Sequence, residues 1–125
     1  MLENKALYYY KKGYNCSQCV LKACESVYNI PVSKQSLKLC SAVNTGFGIG
    51  NICSVLVAGI MVLGLLFSEE DSKRLRIKFL NQFQETFGNL NCSYLRGSST
   101  GGCEHVIGKT CNMLEKIIKE EYSKN

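Results

Sequence analysis

The chain has 125 residues, 46% of them apolar and 20% charged, with a net charge of +5 at pH 7 and eight cysteines. That balance excludes a disordered chain, and the length leaves no room for a second core, so one helical domain over residues 1–125 is expected. It also excludes dependence on crosslinks, because a chain of this size buries well over half of its unfolded surface.

The chain opens on Met1-Leu2-Glu3-Asn4-Lys5, with no apolar signal region, which predicts a cytoplasmic protein whose thiols meet a reducing environment. Leu2 to Lys12 reads as a first helix stopped by Gly13. Asn15 then caps a second helix from Cys16 to about Tyr28. Asn29-Ile30-Pro31-Val32 forms a turn around the sole proline, and Ser33 caps a short helix through Leu39 and Cys40. Three glycines, Gly46, Gly48 and Gly50, make a loop that opens onto Ile52–Phe67, a run without charge. A helix over that run spans roughly 24 Å, against about 30 Å for the bilayer core, so no membrane span is expected. A central helix buried on all sides is expected instead.

Ser68 caps the next helix, and Glu69-Glu70-Asp71 complement its dipole. Leu75, Phe79, Leu80, Phe83 and Phe87 lay an apolar stripe along it, and Gly88 ends it. Asn89 to Gly102 reads as a loop holding Cys92. A last helix follows from about Cys103 to Tyr122, with Ile107, Cys111, Leu114 and Ile118 on one face. The fold class is therefore all-α, a bundle of about five helices around the 52–67 segment. Positive residues such as Lys11-Lys12, Lys73-Arg74, Lys116 and Lys119 are scattered, so no nucleic-acid partner is expected.

Cys16, Cys53 and Cys103 stand at predicted helix N-termini behind polar or glycine-rich entries. Free N–H groups and the positive end of the dipole there favour thiolate, the form that attacks disulfides and binds metal. Cys92 has less packing reason to exist in its loop. Cys24, Cys40 and Cys111 read as core residues, and Cys16-Ser17-Gln18-Cys19 is a CxxC lacking the strand–helix setting of a thioredoxin site. The single histidine, His105, sits on a different helical face from Cys103, which argues against a joint ligand role and allows no Ser-His-Asp set. Gly46, Gly48 and Gly50 match neither a dinucleotide nor a phosphate loop, and let backbone approach a cofactor or another helix closely.

Thr45-Gly46-Phe47-Gly48-Ile49-Gly50-Asn51-Ile52-Cys53 running into Ile60–Leu65, Tyr14-Asn15-Cys16 with Val20-Leu21, and Phe87-Gly88 with Asn91-Cys92 are the distinctive segments. Together they resemble the redox-active proteins named for a C-GCAxxG-C-C cysteine pattern. The resemblance covers nearly the whole chain. It implies a helical fold, a redox role, and four characteristic cysteines falling on Cys16, Cys53, Cys92 and Cys103. The chain departs from the central motif, reading Cys53-Ser54-Val55-Leu56-Val57-Ala58 where the family has Cys-Gly-Ala-x-x-Gly.

Three functions compete at this stage. The first is thiol–disulfide or electron-transfer chemistry, an oxidoreductase type of activity, with Cys16 or Cys53 attacking and another of the four resolving. Its partner is a redox protein or a small thiol or electron donor. The second is an iron–sulfur cluster or other metal held by Cys16, Cys53, Cys92 and Cys103. The third is a non-catalytic interaction domain, a homodimer through the central helix, with inert cysteines.

Overall fold

Helix boundaries in this chain are set by short polar caps between apolar runs. A computed structural model describes residues 1–98 and 102–124. Among them the chain forms seven helices and no strand: α1 (Leu2–Lys11), α2 (Cys16–Tyr28), α3 (Lys34–Leu39), α4 (Ser54–Leu66), α5 (Glu69–Phe87), α6 (Cys92–Ser98) and α7 (Gly102–Tyr122). A π-helical turn, Gly46–Gly50, lies between α3 and α4. The all-α expectation holds.

The caps act as their chemistry requires. Asn15 Oδ1 accepts from the Ser17 and Gln18 amides at 3.1 and 2.9 Å, and the Gln18 side chain returns a bond to the Asn15 amide at 3.1 Å. Four of the orphan donors at the start of a helix are otherwise unpaired, so this reciprocal box stabilises the first turn of α2. Ser33 Oγ and Ser68 Oγ accept from Ser36 and Asp71 amides at 3.0 and 3.1 Å. Gly88 closes α5 in the left-handed region at φ 77°.

Packing follows the apolar faces. α1 lies on α2 and α7, α2 on α4, and α4 also on α5 and α7. Leu75, Phe79 and Phe83 of α5 are buried, as are Ile107, Cys111, Leu114 and Ile118 of α7. Gly59 of α4 makes room for Phe79, whose ring atoms would stand 2.5 Å from a Cβ there.

Two expectations need correcting. The apolar helix covers 54–66 rather than 52–67, and it is not buried all round. Met61, Gly64 and Leu65 face outward, Leu65 with 57% of its surface exposed, because three packing partners cover only part of the circumference. The 89–102 segment is not one loop: α6 starts at Cys92, which raises the helix number above five. The Gly101 half of the expected Gly101-Gly102 entry lies outside the described residues.

Candidate active site

Four helix starts converge on one cavity. Cys16 is the first residue of α2, Cys53 the N-cap of α4, Cys92 the first residue of α6 and Cys103 the second of α7. All four line a half-open cavity of about 240 Å³, together with Tyr10, Asn15, Asn44, Thr45, Ser54 and several apolar side chains.

Two local devices hold the sulfurs there. The first is an isolated antiparallel bridge between Ile52 and Asn91. The Cys53 amide donates to Leu90 O at 2.8 Å and the Cys92 amide to Asn51 O at 2.6 Å. Side chains alternate along extended backbone, so the residues following the bridged pair both turn to the face opposite that pair, where the cavity lies. The bridge depends on the glycine turn. The Asn51 amide closes it onto Gly46 O at 2.9 Å, and Thr45, Gly46, Phe47, Gly48 and Gly50 all have positive φ. Gly46 backs onto the Asn51 backbone and Gly50 onto Ser93, whose hydroxyl donates to Gly50 O at 3.0 Å. Gly48 has no such neighbour among the described residues.

The second device is Asn15. Besides capping α2, its Nδ2 donates to Cys40 O at 3.2 Å, while Gln18 Nε2 donates to Leu37 O at 2.9 Å. The start of α2, and Cys16 with it, is thereby tied to the end of α3. Asn15→Ala is expected to cost about 1–2 kcal/mol, since it removes a cap and leaves Cys40 O without this donor. Urea unfolding under reducing conditions measures it, and an unchanged midpoint contradicts this role.

The family model described as "Putative redox-active protein (C_GCAxxG_C_C)" matches residues 14–117. The chain belongs to this family. All four cavity cysteines fall inside the match. The chain matches no curated protein and no solved structure. Among the described residues no helix is long and apolar enough to cross a membrane.

Within this member of the family the four thiols are not equivalent. Cys16 is hydrogen-bonded to Cys103. That bond first, then burial, pushes the Cys16 thiol up, so Cys16 keeps its proton and shares it with Cys103. The Tyr10 phenol is also bonded to Cys103 and is pushed up, first by burial and then by the Cys103 and Cys16 sulfurs. Cys16 and Tyr10 thus both interact with Cys103 at the wall of the cavity. Cys53 receives the dipoles of the Val55 and Leu56 amides, which lower its pKa, but burial outweighs them and the thiol is raised overall. The expectation that helix N-termini make Cys16 and Cys53 thiolates is therefore corrected. At Cys53 the amide dipoles act as expected but burial outweighs them, and at Cys16 the bond to Cys103 and then burial raise the thiol.

Cys19, Cys24, Cys40 and Cys111 are fully buried. The Cys19 S–H turns back to donate to Cys16 O at 3.1 Å, so its hydrogen bond goes to backbone rather than to the Cys16 sulfur. His105 stands edge-on to Phe87, with ring centroids 6.4 Å apart, and does not line the cavity.

Burial pushes Cys19 and Cys24 from 9.0 up to about 12. In the unfolded chain these thiols ionise from about pH 9, whereas in the folded chain they hold their protons to about pH 12. The unfolded state therefore binds fewer protons across this window, and stability is full below pH 9 and falls as pH rises through it. The two thiols together are expected to remove about 3 kcal/mol by pH 10. Urea unfolding with a phosphine reductant at pH 8 and pH 10 checks this, and Cys24→Ala is expected to shrink the difference by about 1.5 kcal/mol, its own share, the other raised thiols keeping the rest. Equal stability at both pH values contradicts the burial of these thiols.

Tyr10 is a cavity-lining residue that the sequence did not single out. Its signal is present, however: Leu2, Ala6 and Tyr10 repeat at four-residue spacing, and the first two are fully buried.

Proposed function

We propose that the protein is a dithiol–disulfide redox protein whose reacting pair is Cys103 and Cys16. The observation that carries this reading is the hydrogen bond between these two thiols on the wall of a shared cavity. A thiolate forms where donors meet the sulfur, and Cys103 receives them while Cys16 supplies one. Cys103 is accordingly the attacking sulfur and Cys16 the resolving one.

In the reduced protein the Cys103 thiolate attacks one sulfur of an external disulfide. The Cys103–S bond forms, the external S–S bond breaks, and one half leaves as a thiolate with the electron pair. Cys16 then loses its proton to that thiolate or to water and attacks Cys103 Sγ. The second half leaves, and a Cys16–Cys103 disulfide remains. The external disulfide has gained two electrons and the protein has lost two. The reverse sequence oxidises an external dithiol. A small thiol compound or a redox partner protein fills the external role.

Cys53 and Cys92 share the cavity, and Cys53 lies within electrostatic reach of Cys92 and Cys103. A shared metal or iron–sulfur cluster was the competing reading of the same four sulfurs. Among the described residues no three Cys, His, Asp or Glu side chains are grouped closely enough to hold one metal ion. The pairwise interaction of Cys16 with Cys103 is what supports the dithiol reading over the metal one.

Equilibration in graded mixtures of reduced and oxidised dithiothreitol tests the proposal. One two-electron transition is expected, absent in Cys16→Ser and Cys103→Ser and kept in Cys24→Ala and Cys111→Ala. A transition that survives Cys103→Ser would overturn it.

A further inference from the structure

The run Tyr8-Tyr9-Tyr10 has no part in the steps above, and the fold sends its three rings to three places. Tyr8 stands edge-on to Tyr9 at 5.2 Å with Lys12 Nζ 5.3 Å from its ring centroid. Tyr9 shares a hydrogen bond of 3.1 Å with Ser26 Oγ and packs its ring 5.7 Å from Tyr14. Tyr10 turns inward, lines the cavity and is bonded to Cys103.

That placement is built rather than incidental. α1 packs only on its apolar side, through the fully buried Leu2 and Ala6, against α2 and α7. Those two helices carry Cys16 and Cys103. A residue four positions after Ala6 must stand over the same seam, where α2 and α7 begin. The ring lines the cavity wall beside Cys103. Other ionisable groups near this point are Cys16 of α2, Cys53 of α4, Cys92 of α6 and Glu104 beside Cys103 on α7. None of the sulfurs among them can match a phenol as a hydrogen-bond donor, because S–H is a weak donor.

We propose that Tyr10 is a working member of the site, its phenol donating to Cys103 Sγ and holding that sulfur ready as the attacking thiolate. Tyr10 keeps its proton throughout. The electrons move from Cys103 to the external disulfide, and the phenol offsets the negative charge before attack. The proposal rests on the reading that Cys103 is the attacking sulfur. It adds that the identity of the attacker is set by α1, a helix carrying no cysteine.

The test compares how fast iodoacetamide labels Cys103 and Cys16 in the same reduced chain at pH 7, read by mass spectrometry of the two peptides. The ratio is expected to favour Cys103 in the unaltered protein and to fall about tenfold in Tyr10→Phe, as a hydrogen bond to a charged group is lost. Tyr9→Phe, whose hydroxyl meets Ser26, is expected to leave it unchanged. Replacing Tyr10 by 3-fluorotyrosine keeps the ring and makes a more acidic donor that still holds its proton at pH 7, so the ratio is expected to rise. This second variant decides the matter if Tyr10→Phe fails to fold by circular dichroism. A ratio that moves in neither variant overturns the role of Tyr10. A ratio that favours Cys16 in the unaltered protein overturns the assignment of Cys103 instead, and so separates the two failures.

Discussion

Cys103→Ser is expected to slow attack of the reduced protein on an aromatic disulfide by more than about a hundredfold, because Cys16 and Cys53 in the same cavity are both pushed up and hold their protons. Cys16→Ser is expected to behave differently. Its hydroxyl still donates to Cys103, so attack proceeds within about threefold of the unaltered rate and then stops at a mixed disulfide. Release of the coloured thiol gives the rate, and the mass of the trapped adduct, with its peptide, gives the sulfur. The asymmetry follows from which partner holds the proton: Cys16 is pushed up by its bond to Cys103 and by burial, and so waits protonated until Cys103 has reacted. Adduct on Cys16 in Cys103→Ser at an undiminished rate would reverse the roles.

Gly46→Ala is expected to be the most damaging single substitution in the glycine turn. At φ 57° a Cβ strains the backbone, and here it would also stand 2.4 Å from both the amide nitrogen and the carbonyl oxygen of Asn51. Backbone cannot move aside as a flexible side chain can. Asn51 closes the turn and accepts from the Cys92 amide, so displacing it releases the bridge that aims Cys53 and Cys92. The loss is about 3 kcal/mol, from strain plus the turn and bridge hydrogen bonds. Gly48→Ala provides the comparison. Its φ of 80° costs about 1 kcal/mol in strain, but a Cβ there meets nothing within 4 Å. Urea unfolding separates the two, and alkylation of Cys53 and Cys92 is expected to accelerate in Gly46→Ala alone. Equal effects at the two glycines would mean that contact with Asn51 does not hold the turn.

Local signals were legible in the sequence wherever one residue does one job. Asn15, Ser33, Ser68 and Gly88 each mark a helix end by their own side-chain or backbone preference, and each caps the expected element. The face of α7 was legible because four buried residues recur at helical spacing over a long element. α6 was not legible: it is a seven-residue helix with two buried apolar side chains, Cys92 and Leu95, among those described, too little for periodicity to register. The outward edge of α4 escaped as well, since a uniformly apolar run carries no record of which side is covered.

The site was legible by type but not by pairing. The positions of Cys16, Cys53 and Cys103 near helix starts followed from entry residues such as Asn15, whereas their convergence on one cavity depends on contacts between distant segments. Cys92 joins them through a single bridge to the chain before α4, an arrangement that propensity cannot encode. The ionisation state was misread because a helix terminus is visible in sequence and burial is not. Tyr10 was hidden by its neighbours Tyr8 and Tyr9, which share its type but not its face.

Mapping the disulfide formed when the reduced protein takes up one equivalent of oxidant tests the central claim most directly. Digestion without reduction, followed by mass spectrometry, is expected to find Cys16 joined to Cys103, with the other six cysteines still alkylatable after unfolding. A first disulfide joining Cys53 to Cys92, or Cys16 to Cys19, would contradict the account.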